Sequence, residues 1–359
     1  MKLETSNFSA EQAVTADTQA ILLLCSSLAL PRDDGDVKPL ALNEWNDLAL
    51  RIAQSGLKHP GALLGETADS LPALLGISDA LALRLQRLLS RGGQLAVELE
   101  ELGSLGIWVT TRADDTYPAR LKQTLRNQAP SVIFGAGDTA LLTRDGLAIV
   151  GSRNVDEAGT EFALEAGRRS ALDGLTVVSG AARGVDRQSM TGALEADGNV
   201  VGVLADSLVQ AIKNRDTRRL VTEGRVTLIT QSHPKAHFTT GAAMQRNKVI
   251  YGLSCYALVV ASDKGQGGTW AGAIANLKAG WVPLFVRSGD SVPEGNKALL
   301  ALGGVELPEA VLTGGENLRL WLEEHARKTK PGPSASPTRQ AKGKSRLART
   351  QADLLDSPG

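Results

Sequence analysis

The spacing of apolar residues changes character once along the chain, near Gly106. Before that point Leu, Ile and Ala recur every three to four positions in Thr18–Leu30, Leu42–Ser55, Ser70–Leu75 and Asp79–Ser90, the period of an amphipathic helix. Gly56, Pro60, Gly61, Gly76 and the Gly92–Gly93 pair punctuate these stretches. After it, short runs rich in β-branched residues alternate with helical patterns, which is the signature of a parallel sheet. The runs predict strands at Ile107–Thr111, Val132–Phe134, Leu147–Val150, Thr176–Ser179, Val200–Leu204, Val226–Thr230, Ala257–Ala261 and Val282–Val286. Helices fit at Glu157–Ser170, Arg187–Ala196, Arg215–Glu223, Ala242–Leu253, Thr269–Ala279 and around Leu318–Ala326. Right-handed crossovers then give an α/β fold. It is an extended Rossmann-like parallel sheet with helices on both faces, preceded by a small all-α domain. The expected boundaries are 1–105 for the helical domain, 106–328 for the sheet domain and 329–359 for a tail.

Within the helical part, LPALLGISDALALRLQRLL reads as two short helices joined by a Gly-Ile-Ser turn, resembling a helix-hairpin-helix or SAM-like module. Such a hairpin offers backbone N–H groups to a DNA phosphate, and the same pattern also serves plain core packing.

Charge alters the picture at the carboxyl end. The chain has 39 basic and 39 acidic residues in 359, yet Ala326–Thr350 holds eight Lys or Arg and no acid. The rest of the chain is therefore acidic on balance. This Pro-, Ser- and Lys-rich segment cannot bury enough apolar surface to fold and is expected to be disordered, suited to holding nucleic acid nonspecifically or to solubilising the chain. Cys25 and Cys255 sit in apolar runs and read as reduced core residues, so the expected compartment is the cytoplasm. No apolar stretch is long enough to span a bilayer, and no membrane partner is expected.

Chemistry concentrates where strands end. LAIVGSRN at Leu147–Asn154 and LTVVSGAARGVD at Leu175–Asp186 each run from apolar residues into Gly, small residues and an Arg. Gly151, Gly180 and Gly184 remove Cβ obstruction, Ser152 and Ser179 offer hydroxyls, and Arg153 and Arg183 supply planar, permanently charged forks that match phosphate oxygens. Two such loops on one sheet would converge on an anion at its carboxyl edge. A third string places Gln245, Arg246, Asn247 and Lys248 before an apolar helix segment. Arg246 and Lys248 can meet phosphates, and Asn247 can bond a base edge or buttress a loop. A fourth, SDKGQGGTWAGA at Ser262–Ala273, carries Gly267 and Gly268 for a tight turn and Thr269 as a cap for the next helix.

Together the four strings resemble the DNA-processing protein A family (DprA, also called Smf), of which this chain looks like a divergent member. The likeness begins at TYPARLKQTLRNQAPSVIFGAGD (Thr116–Asp138). It continues through AIVGSRN, VVSGAARGVD, TGAL at Thr191–Leu194, QRNKVIYGLS and Gly295–Gly304. The resemblance implies an extended Rossmann fold that binds single-stranded DNA as a homodimer and hands it to a RecA-type recombinase during DNA uptake. It implies that Arg153 and Arg183 hold phosphates, that Arg246, Asn247 and Lys248 line the strand's path, and that Lys264 extends it. Departures are Met190 where the family usually has His, Thr230–Gln231 for a Ser-Glu pair, extra sequence between Phe238 and Arg246, Trp270 in the Gly-rich loop, and no winged-helix module. A role in defence against foreign DNA fits the same residues.

No catalytic constellation is apparent, and neither a metal nor a cofactor is expected. His59, His233, His237 and His325 lack companions at ligand spacing. Asp186 reads as a base, as a helix cap or as a partner of Arg183. The expectation is a non-enzymatic single-stranded-DNA-binding protein, with Phe238 or Trp270 stacking on a base. The rival is a nucleotide-ligand sensor or a hydrolase of nucleotide N-glycosidic bonds, because GGTW at Gly267–Trp270 is reminiscent of such enzymes; no Glu follows it before Asn276. A third is an adaptor of DNA machinery acting through protein contacts.

Overall fold

The computed structural model describes residues 14–30 and 37–328, so the expected basic tail lies outside the described residues. Among the described residues no helix is long and apolar enough to cross a membrane. They divide into two compact units, one reaching Glu98 and one starting at Leu99.

The first unit is helical. Its α1 (Ala16–Cys25) carries the run Ala20–Leu24, every member of which is buried. A helix apolar all round must be surrounded, and α1 accordingly forms the centre of this unit. Arg91 donates from Nη1 to Leu28 O (2.9 Å) and from Nη2 to Leu23 O, satisfying carbonyls at the end of α1. Next, α2 (Leu42–Gln54) buries Trp45, Leu48, Ala49 and Ile52 along one stripe. The hairpin expected from the sequence forms as α3 (Leu71–Leu75) and α4 (Asp79–Leu89). Gly76 ends α3 in the left-handed region, and Ser78 caps α4 by accepting the Leu81 N–H. Arg51 Nη1 donates to Gly76 O (2.8 Å) and Leu75 O (3.3 Å), filling the hairpin's open carbonyls. Gly92 and Gly93, read as a break, instead open α5 (Gly92–Ser104), and the division between the units falls within this helix.

The second unit is built on one nine-stranded sheet. In chain order its elements begin β1 (Trp108–Thr111), α6 (Ala119–Leu125), β2 (Val132–Ala136), β3 (Gly146–Val150), α7 (Glu157–Leu172), β4 (Thr176–Ser179) and α8 (Val185–Glu195). They continue β5 (Val200–Val203), α9 (Leu208–Lys213), α10 (Arg215–Thr222), β6 (Val226–Thr230), α11 (Thr240–Leu253), β7 (Tyr256–Val259) and α12 (Gly267–Ala279). The last are β8 (Leu284–Arg287), α13 (Glu294–Ala301), β9 (Val305–Leu307), α14 (Glu309–Thr313) and α15 (Leu318–Lys328).

Strand order is β1-β2-β6-β5-β4-β3-β7-β8-β9. From β3 the chain marches outward through β4, β5 and β6, then returns to lay β7 against the other side of β3. That reversal creates a switch point between β3 and β7, where the loops at their carboxyl ends diverge. Residues of β3 to β6 are buried without alternation, as strands covered on both faces require.

The expectation of an all-parallel sheet is corrected at one edge: β2 runs antiparallel to β6, and β1 antiparallel to β2. The edge strand β9 was not anticipated, because its burial is only partial and its apolar run is short. The start of β8 shifts by two residues. Val282 was expected to open a strand, but Asn276 binds both its N–H (3.0 Å) and its carbonyl (2.9 Å) in a turn, so β8 starts later.

One buried amide fixes the far side of the switch point. Asn296 accepts the Ser262 N–H (2.9 Å) and donates to Val260 O (2.9 Å) and Arg287 O (3.0 Å), tying the ends of β7 and β8 together. Asn296→Ala strands all three backbone groups away from water. The expected loss is about 2–4 kcal/mol of unfolding free energy, measured by chemical denaturation; a loss under about 0.5 kcal/mol would show that Asn296 is not the bolt.

Candidate functional site

The β3 and β4 loops meet at the carboxyl edge. Ser152 N–H donates to Ala261 O (2.8 Å), stitching the β3 loop to the end of β7, while Ser152 O accepts the Val185 N–H (3.3 Å). Gly184 sits at φ +84°, and a Cβ there would lie 2.4 Å from Ser152 O, so only glycine lets the two loops close this far. Arg153, Asn154 and Arg183 are exposed on the outer side. Arg183 Nη2 donates to Asn154 Oδ1 (2.9 Å), and the Arg153 guanidinium lies 5.1 Å from the centre of the Phe238 ring. Phe238 is 46% exposed. Two guanidinium groups and one accessible ring thus share one ledge, which suits phosphate oxygens and a base.

Beneath the ledge lies a buried ion pair. Asp186, the second residue of α8, lies against the backbone of Gly180, where an added Cβ would come within 2.5 Å of its Oδ2. Its Oδ2 lies 3.7 Å from Arg246 Nη1, and both side chains are more than nine-tenths buried. Burial is the largest influence on each: it pushes the Asp186 carboxyl above its usual range and the Arg246 guanidinium below its own. Arg246 draws the carboxyl back down. Each charge is tolerable because the other is present.

Several expectations are corrected by this arrangement. Arg246 is not a surface anchor; it is a buried counterion packed on the backbone of Gly180. Ser179 and Gly180 are buried, and the Ser179 hydroxyl donates to Ile149 O (2.7 Å). Asp186 neither caps the helix nor pairs with Arg183, whose partner is Asn154. The Ser152 hydroxyl is occupied within its own turn, accepting the Asn154 N–H (3.1 Å).

Other residues sort similarly. Gly151 stands against Val185, where a Cβ would lie 2.5 Å from a methyl group, so it serves loop packing. Asn247 Nδ2 donates to Gly268 O (3.0 Å), the buttressing alternative. Arg246 to Lys248 lie past the first turn of α11, which is capped by Thr239, and Lys248 is half-buried. Lys264 is exposed on the β7 loop, and Gly267 and Gly268 are exposed at the start of α12. Thr269 is not a cap: α12 starts at Gly267, with Gln266 before it making no side-chain cap bond. Trp270 is half-buried and packs against the hydrophobic core, leaving Phe238 as the ring free to stack. Asn154 was missed, although it adjoins Arg153 and ends the first string.

Gly180 reports on the buried pair. A Cβ there would fall 1.3 Å from Arg246 Nη1 and 2.5 Å from Asp186 Oδ2. Gly180→Ala must therefore expel the guanidinium, with an expected loss of about 3–5 kcal/mol in unfolding free energy. Gly268→Ala meets only the Asn247 amide, at 3.3 Å, and is expected to be near neutral. Equal unfolding midpoints for the two variants would contradict this packing.

Comparison with known proteins agrees with this architecture. The family model described as DNA recombination-mediator protein A matches residues 108–302. DNA processing protein DprA of Bacillus subtilis (strain 168) is 30% identical over 172 residues, covering 46% of this chain and 55% of that protein. DprA of Streptococcus pneumoniae (strain ATCC BAA-255 / R6) is 28% identical over 162 residues, covering 44% and 54%. The chain thus matches about half the length of these curated relatives. The X-ray structure of DprA from Streptococcus pneumoniae superimposes with a TM-score of 0.59 at 19% identity, covering 77% of this chain and 99% of that one. With the family model matching more than half its length across the whole switch-point region, this chain belongs to the DNA recombination-mediator protein A family.

Proposed function

We propose that this protein binds single-stranded DNA on the ledge formed by the β3 and β4 loops, as a carrier that performs no chemistry on its ligand. Arg153 and Arg183 hold successive phosphates, and the exposed Phe238 ring stacks on a base. The observation that carries this reading is the pairing of two exposed guanidinium groups with an accessible aromatic ring on adjoining loops. Stacking of that kind tolerates any base, and a ring can enter between bases only where the strand is unpaired. Family membership supports the same assignment, since the matched relatives are named as DNA-processing proteins.

The proposal extends to a cytoplasmic homodimer that delivers the strand to a RecA-type recombinase, as the family resemblance implies. The rival reading as a nucleotide hydrolase gains no support from the Gly-rich loop. Asn276, about two turns beyond Gly-Gly-Thr in α12, has no titratable group and is consumed in clamping Val282.

Titration of labelled oligothymidine and of duplex DNA, each at two salt concentrations, tests the assignment. The expected result is single-strand preference with steep salt dependence. Arg153→Ala and Arg183→Ala should each cost about 1.5–3 kcal/mol and lower the salt slope by about 0.7. Phe238→Ala should cost about 1–3 kcal/mol with the slope retained. Undiminished binding by the Arg153→Ala/Arg183→Ala double variant would overturn the proposal.

A further inference from the structure

An aromatic ring binds a base best when the loop beneath it is already ordered, because ordering a loop at the moment of binding costs conformational entropy. Phe238 stands in residues 231–239, the connection between β6 and α11. Two other elements hold the first half of that connection. Pro234 O accepts the Ser207 hydroxyl (3.1 Å) and the Val209 N–H (3.1 Å) at the start of α9. The next residue, Lys235, donates from Nζ to both carboxylate oxygens of Glu101 (2.8 and 2.9 Å), in the part of α5 that belongs to the second unit. Around these two residues His233 closes a turn: its carbonyl accepts the Ala236 N–H (2.8 Å) and its Nδ1 accepts the Lys235 N–H (3.0 Å). On the far side, Thr239 caps α11 by accepting the Ala242 N–H (3.0 Å). Only His237 and Phe238 lie between the turn and the cap, so where the turn is pinned decides where the ring stands.

We propose that Glu101 and Lys235 are positioning residues for the stacking ring: their ion pair pins the 233–236 turn to α5 and so keeps Phe238 beside Arg153 on the ledge. The inference rests on the single-stranded-DNA reading and deepens it. It also takes Lys235 out of the set of phosphate contacts, since an ammonium paired with a carboxylate presents no net charge to a phosphate. The effect is local. The Lys235 side chain is 43% exposed and that of Glu101 53%, so breaking the pair should hardly move global stability. What it changes is how much ordering remains to be done when a strand binds, and that appears as affinity.

Two arms keep this clasp and the DNA reading apart. The first contains no DNA: the full chain is digested briefly with chymotrypsin, and cleavage after Phe238 is followed by mass spectrometry. Glu101→Ala should speed that cut about two- to fivefold and leave the urea unfolding midpoint unmoved. Lys235→Arg, which can still fork onto the carboxylate, should be cut at the wild-type rate. Equal rates for wild type and Glu101→Ala would overturn the clasp. The second arm measures oligothymidine affinity. Glu101→Ala should weaken it about two- to fivefold with the salt slope retained, and the exchanged pair Glu101→Lys/Lys235→Glu should restore it. In a Phe238→Ala background, Glu101→Ala should cause no further loss. Tighter binding by Glu101→Ala, or loss of binding by the exchanged pair, would overturn the positioning claim and make Lys235 a phosphate contact instead. Equal losses with and without the Phe238 ring would overturn it as well. If Phe238→Ala alone binds as wild type does, the ring's part in the DNA reading fails, and the digestion still judges the clasp.

Discussion

A buried carboxylate facing a buried guanidinium organises the carboxyl edge of this sheet. Asp186 belongs to the helix that follows β4, Arg246 to the helix that follows β6, and the backbone of Gly180 lies between them. Neither charge can stay in the interior alone, so the two helices and the intervening loop are held to one arrangement. The pair packs directly against the Gly180 backbone and so supports the loop from beneath. What remains for a ligand is the outer tier: Arg153, Arg183 and the Phe238 ring.

This division into an inner and an outer tier explains how a chain that is acidic apart from its tail can hold an anion. Attraction from exposed charges fades over about 10 Å at ordinary salt, so the local arrangement outweighs the overall balance. Arg153 and Arg183 lie on adjoining loops that Gly184 allows to touch, and Lys264 is exposed on the loop of the neighbouring strand β7. Asn154 takes one N–H of Arg183 without neutralising it, which orients the fork and preserves its charge. Asn296 fixes the β7 side by bonding three backbone groups. The ledge is thus rigid from below and positively charged above.

The fold was legible in the sequence where local pattern decides. Buried parallel strands show as unbroken apolar runs, and β3, β4, β5 and β6 sit close to where those runs predict. The exposed placement of Arg153 and Arg183 on adjoining loops was legible because each follows a strand within a run of small residues. Arg246 misled for a clear reason. It lies in the polar string Gln-Arg-Asn-Lys, which locally describes a solvated face, and its partner Asp186 comes from a distant segment that no local period connects to it. Trp270 misled in the opposite sense, since the small residues around it concealed a core position. Gly92 and Gly93 look like a break, yet they open α5. The antiparallel pair β1–β2 is invisible to period alone, because strand direction follows from connection geometry.

The ledge is tested most directly by ultraviolet cross-linking of oligothymidine to the full chain, with the adducts located by mass spectrometry. Adducts at Phe238 and within the 151–154 and 180–184 loops are the predicted result. Adducts confined to the helical unit before Glu98, with none on these loops, would contradict it.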